Sequence, residues 1–287
     1  MHKEFKVLLF SMFNNFLISI IKVIGGFYFH LGSLFADGMH TFSDFVTDIV
    51  SYIGAKLSKK KPTKYHPFGF GKVEYLTNLF VGFLLILLAV FIIFYGFIGK
   101  IHIPPLSVLW LLLVVFLLKL IAILVLHKVG KKLNSQLLIT SVRESLADLY
   151  STIGVSVVTI ILQFSDSYPI LKYADVVGSI LIGIIVFKTA FTIIADNSMS
   201  LIGEVETDPE FIKKIKEFIL QIEGINDVEV TLIKYGDYYK IQLMVEMDSK
   251  LTLAQVSRLE RKLKQDLVRH RTFKVKYPTI YVTNKLK

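Results

Sequence analysis

Six membrane-spanning helices followed by a small α+β domain is the fold class that this chain predicts, on three observations. Its 287 residues are 53% hydrophobic with a mean hydropathy of +0.59, too apolar for a water-soluble protein of that size. Six apolar runs each approach the roughly 20 residues that cross about 30 Å of hydrocarbon at ~1.5 Å per residue. From about Val205 onward the runs shorten and charges of both signs appear, as in a water-soluble domain. We therefore divide the chain into 1–204 and 205–287.

The spans are expected at about 7–29, 31–57, 73–97, 106–126, 137–164 and 176–194. The first is longer than a signal-peptide core, lacks a small-residue cleavage site and leads at once into another span, so it reads as a retained helix. Orientation follows from the basic residues. Lys59, Lys60, Lys61, Lys64 and Lys72 follow the second span, and Lys128, Lys131 and Lys132 the fourth. The turn after the first span has no basic residue, and the loops after the third and fifth carry only Lys100 and Lys172. The positive-inside bias then puts both termini in the cytoplasm of a multi-pass cell-membrane protein. Lys119 and Lys188, within about two turns of the cytoplasmic helix ends, are read as snorkelling. The net charge of +10 is concentrated in loops beside apolar runs, which speaks for the lipid bilayer and against nucleic acid.

In the tail, Asp208-Pro209 opens a helix that Gly224 closes. Two strands, at about 228–234 and 240–247, flank a turn at 235–238, and the second alternates Ile241, Leu243, Val245 and Met247 with polar or exposed neighbours. Thr252-Leu-Ala-Gln255 is a capping box for a helix to about 268, and 279–283 is a closing strand. The order α-β-β-α-β suits a two-layer, ferredoxin-like domain.

The second span carries Asp37, His40, Asp44 and Asp48, where an unpaired charge costs at least about 3 kcal/mol. His40 and Asp44 are four apart and share a helix face, and Glu144 and Asp148 repeat the spacing on the fifth span. At a common depth, one imidazole and three carboxylates form a donor set for a divalent ion. Zn²⁺, Mn²⁺, Fe²⁺ and Co²⁺ all suit it; Mg²⁺ keeps its water and Ca²⁺ wants more oxygens. The absence of cysteine removes thiolate sites and disulfides. Such a site binds only with neutral histidine and ionised carboxylates, so protons compete with metal, and transport by alternating access in exchange for protons is the expected use. The ion is then substrate, with no resident cofactor. A hydrogen-bonded clamp between helices, with Arg143 neutralising Glu144, is the bland alternative. Asp37 lies one turn outward and Asp48 one turn inward, either lining the ion path or satisfying helix packing. A membrane-embedded metalloenzyme would need an open coordination position and a cleft. A passive cation channel would favour rings of charge or carbonyls.

The run Ala36-Asp37-Gly38-x-His40-x-x-x-Asp44, the loop His66-Pro-Phe-Gly-x-Gly-Lys72-x-Glu74, the x-x-x-Asp148 repeat and the tail's element order together resemble the cation diffusion facilitator family of metal transporters. That resemblance covers nearly the whole chain. It implies a homodimer with six helices per protomer, a cytoplasmic domain that helps dimerise, and proton-coupled export of divalent transition metals, with His40, Asp44, Glu144 and Asp148 at the transport-site positions. Glu144 stands where the best known zinc members have histidine, which enriches the site in oxygen. His66 matches one ligand of an accessory site, but Phe70 and Thr63 replace a second histidine and an aspartate, so this histidine is expected to order its loop. Glu229, Met244, Tyr281 and Thr283 replace the tail's metal ligands. Gly203 replaces an aspartate that pairs with the lysine matching Lys72, and Glu204 is the expected substitute.

Overall fold

Long apolar runs in lipid have little choice but helix, since no water is available there to satisfy a backbone amide. A computed structural model describes residues 2–98, 102–133, 135–270 and 272–283, so Lys100 falls outside the described residues. The helices are α1 (His2–Tyr28), α2 (Gly32–Ser58), α3 (Val73–Ile98), α4 (Val108–Leu133), α5 (Gln136–Leu162) and, after a 3-10 turn at Pro169–Tyr173, α6 (Ala174–Ile202). Among the described residues, α1, α3, α4, α5 and α6 are each long and apolar enough to cross a membrane. α2 equals them in length but carries Asp37, Asp44, Asp48 and Lys56. α4 outruns its apolar stretch because Lys131 and Lys132 occupy its last turn, where cations favour the helix terminus. Phe83, Leu87, Phe94 and Trp110 point outward, as expected where the solvent is hydrocarbon.

The chain forms two compact units, 1–50 with 81–192 and 51–80 with 193–287. Within the first, α4 packs on both α1 and α5. Asn14 Nδ2 on α1 donates to the Leu118 carbonyl of α4 at 3.3 Å. The amides of Gly32 and Ser33 donate to Asp175, at 2.7 and 2.8 Å, and this carboxylate caps the first turn of α2. Gly38 lets α1 and α2 touch: a Cβ there would lie 2.7 Å from the Val23 backbone nitrogen.

In the second unit, α7 (Pro209–Leu220), β1 (Ile225–Tyr235), β2 (Tyr238–Met247), α8 (Leu253–Arg269) and β3 (Val275–Thr283) follow the predicted order. The sheet runs β1-β2-β3, antiparallel between the first two and parallel between the last two. Parallel pairing needs a crossover, which α8 supplies. Ile215 and Ile219 of α7 and Leu263 and Leu267 of α8 are buried with Val228, Ile241, Leu243 and Val245 of the sheet. The predicted caps are both present: Asp208 accepts from the Glu210 amide, and Thr252 and Gln255 form a reciprocal capping box. Thr252→Ala is expected to cost about 1 kcal/mol, read as a lowered unfolding midpoint with unchanged secondary structure.

Candidate metal centre

α2 and α5 bring three of the four expected donors together. His40, Asp44 and Asp148 each offer an atom within 4.8 Å of the other two. Ligands about 2.1 Å from a tetrahedral ion lie about 3.4 Å apart, so a contraction of roughly 1 Å closes the set. His40 Nδ1 is 3.8 Å from Asp44 Oδ1, beyond hydrogen-bond reach. That nitrogen is buried and makes no hydrogen bond, so its polar capacity is unused beside the cluster. Next to it, Thr152 Oγ1 donates to the Asp148 carbonyl at 3.0 Å within α5, Ser43 Oγ to the His40 carbonyl at 2.6 Å within α2, and Phe16 of α1 packs on Phe45 of α2 with centroids 4.8 Å apart. Beside the cluster, His40 reaches a cavity of 480 Å³ between α2, α5 and α6, otherwise walled largely by apolar side chains such as Val155, Leu181 and Ile182.

Glu144, one turn before Asp148, is exposed and lies outside the three-donor group. Asp48 is also exposed and outside it. Asp37 is fully buried and pairs with Lys22 of α1 at 2.7 Å. Lys119 corrects the snorkelling expectation. It is buried, 1% exposed, and its ammonium binds Asp148 Oδ2 at 2.5 Å and Asn15 Oδ1 at 2.8 Å. Its neighbours on α4 alternate little in polarity, so the sequence does not mark which face turns inward. Lys22, likewise buried, has no charge pattern around it in the sequence that marks it as paired. The available signal was complementarity: each of these lysines stands in an apolar run facing another that holds an acid with no assigned partner.

The loop residues belong to the second unit. His66 Nδ1 lies 3.3 Å from Thr63 Oγ1, the His66 amide donates to the same hydroxyl at 3.1 Å, and the imidazole packs on Phe70 with centroids 4.6 Å apart. The two residues standing in place of accessory ligands thus fasten the histidine to its own loop. Lys72 donates to the Leu201 carbonyl at 2.7 Å, satisfying an orphan carbonyl at the end of α6. Glu204 does not substitute as Lys72's partner, because it pairs with Lys234 at 3.2 Å. The Tyr238 hydroxyl donates to the Phe68 carbonyl at 2.7 Å, and burial pushes that phenol up to about 12, keeping it a neutral donor. Gly71 has no room for a side chain, since a Cβ would lie 2.3 Å from the Tyr235 carbonyl oxygen. In the tail, Glu229, Met244 and Tyr281 face one another across the strands and are exposed, and no group of three His, Asp or Glu donors converges there among the described residues.

The profile of the cation efflux transmembrane domain matches residues 8–202, which takes in every helix that bears the cluster. The chain belongs to the cation efflux family. Among the relatives of this cation efflux protein are three efflux and antiport proteins. The manganese efflux system protein MneP of Bacillus subtilis (strain 168) is 27% identical over 270 residues, 92% of this chain and 91% of that one. MneS, a manganese efflux system protein of the same strain, is 27% identical over 261 residues, 87% of each. The cadmium, cobalt and zinc/H(+)-K(+) antiporter of Bacillus velezensis (strain DSM 23117 / BGSC 10A6 / LMG 26770 / FZB42) is 24% identical over 269 residues, 91% of this chain and 84% of that one. Membership makes this a multi-pass membrane protein and a metal-efflux transporter.

Proposed function

We propose that this protein exports divalent transition-metal cations, Mn²⁺ foremost, from the cytoplasm across the cell membrane in exchange for protons. The ion binds at His40, Asp44 and Asp148, and Glu144 joins as a further carboxylate when the two helices adjust around it. The observation carrying this reading is the approach of three donor atoms from two helices, α2 and α5, to within 4.8 Å of one another. An intramembrane ionisable cluster is costly and is a functional site by default. Its oxygen-rich balance suits manganese, and the manganese efflux proteins related to the chain support that choice; Zn²⁺, Fe²⁺ and Co²⁺ remain within reach of the same donors. Proton exchange follows from the chemistry, since binding requires a neutral imidazole and ionised carboxylates, and it is supported by the related metal/H(+) antiporter. Both termini are taken as cytoplasmic, and residues 205–287 as the part that joins two copies into a homodimer and couples them.

The test is uptake into proteoliposomes of Mn²⁺, Zn²⁺, Fe²⁺ and Co²⁺ in turn, with and without an imposed pH gradient. Saturable Mn²⁺ uptake with opposing proton movement is expected. Equal flux without the gradient and without proton movement would remove the coupling, and preference for zinc would remove manganese as principal substrate.

A further inference from the structure

The Lys119 ammonium already holds one of the carboxylates that a metal would need. It contacts Asp148 Oδ2 at 2.5 Å, and Asp148 is one of the three clustered donors. It also donates to Asn15 Oδ1 at 2.8 Å, so it spans two acceptors, one inside the donor set and one outside. The side chain is 1% exposed. The geometry points to Lys119 as a built-in counter-cation. It holds Asp148 when no ion is bound, and a divalent ion taking that carboxylate displaces it toward Asn15. The inference rests on the transport-site reading above and adds a residue that tunes the site's affinity without being a ligand.

The physical consequence is a weakened site. Both cations compete for one carboxylate, and once displaced the ammonium stays within a few ångströms of the ion, where like charges repel strongly in a low-dielectric interior. A transporter gains from this, because an ion held by an imidazole and unopposed carboxylates leaves slowly. A lysine that returns to Asp148 helps release the ion and spares the emptied site an uncompensated acid.

The experiment is Mn²⁺ binding to the purified full-length protein at one fixed pH, by calorimetry, together with efflux kinetics in proteoliposomes. Lys119→Met is expected to tighten binding by at least about tenfold and to lower KM and kcat together, as release becomes limiting. Asn15→Ala, which removes the resting place of the displaced ammonium, is expected to act oppositely and weaken binding about threefold to tenfold. If Lys119 merely positions Asp148, Lys119→Met would weaken binding, and that result, or unchanged affinity, overturns the inference. Should Lys119→Met not fold, Asn15→Ala decides alone: unchanged or tighter binding overturns it. Asp44→Ala separates the two layers. If that variant binds Mn²⁺ like the parent, the site reading itself has failed, whereas Asp44-dependent binding that ignores Lys119 and Asn15 removes the counter-cation alone.

Discussion

Asp44→Ala is expected to lower Mn²⁺ affinity by at least about 100-fold and bring export to background while the protein stays folded, because outer-shell partners of metal ligands are already worth 10–100-fold and a ligand contributes more. Asp44 is the cleanest position for this experiment. Among the described residues its ion-pair partner is His40, at 3.8 Å, so its removal orphans no strong contact. Asp148→Ala should be as damaging to transport but harder to interpret, since it also strips Lys119 of its carboxylate. Asp148→Asn, which keeps an acceptor for that ammonium, is the matched control. Glu144→Ala is expected to have a smaller effect than either, in keeping with the exposure of Glu144 and its place outside the three-donor group. Export rate and equilibrium binding measured on the same preparations check all four. Undiminished export by Asp44→Ala and Asp148→Asn would place the ion elsewhere.

The parts of this molecule that were legible in its sequence are those set by local rules. Apolar length fixed the helices, and the chemistry of Asp208, Thr252 and Gln255 fixed where the tail helices begin. The i,i+4 spacing correctly put His40 and Asp44 on one face, and it paired Asp148 with them across helices. Contacts that depend on how one apolar helix is rotated against another were not legible. Lys119 and Lys188 look alike in sequence, each a lone lysine near the end of an apolar run. Yet Lys119 turns into the bundle onto Asp148, and Lys188 is exposed. Spacing alone likewise treats Glu144 and Asp148 as equals, whereas in the fold Asp148 is buried beside the donors of α2 and Glu144 is exposed. The pairing of Glu204 with Lys234 rather than Lys72 is of the same kind, being decided by where a strand of the tail lies.

Lys22→Met is expected to destabilise the membrane unit by about 3–5 kcal/mol, since breaking a buried pair leaves its partner charged and uncompensated. Lys22 and Asp37 are 1% and 0% exposed and 2.7 Å apart, and Lys22 also reaches Thr41 Oγ1 at 3.5 Å, next to His40. Swapping both charges for apolar groups of similar size is often neutral or better, so Lys22→Met with Asp37→Leu should recover most of the loss, read as the unfolding midpoint in detergent. The rescued double variant then settles what Asp37 does. If it exports Mn²⁺ at close to the parent rate, the acid serves to tie α1 to α2 beside the site. If it is stable but inactive, Asp37 takes part in moving the ion, and the lysine beside it works as a gate on the path instead of a structural tie.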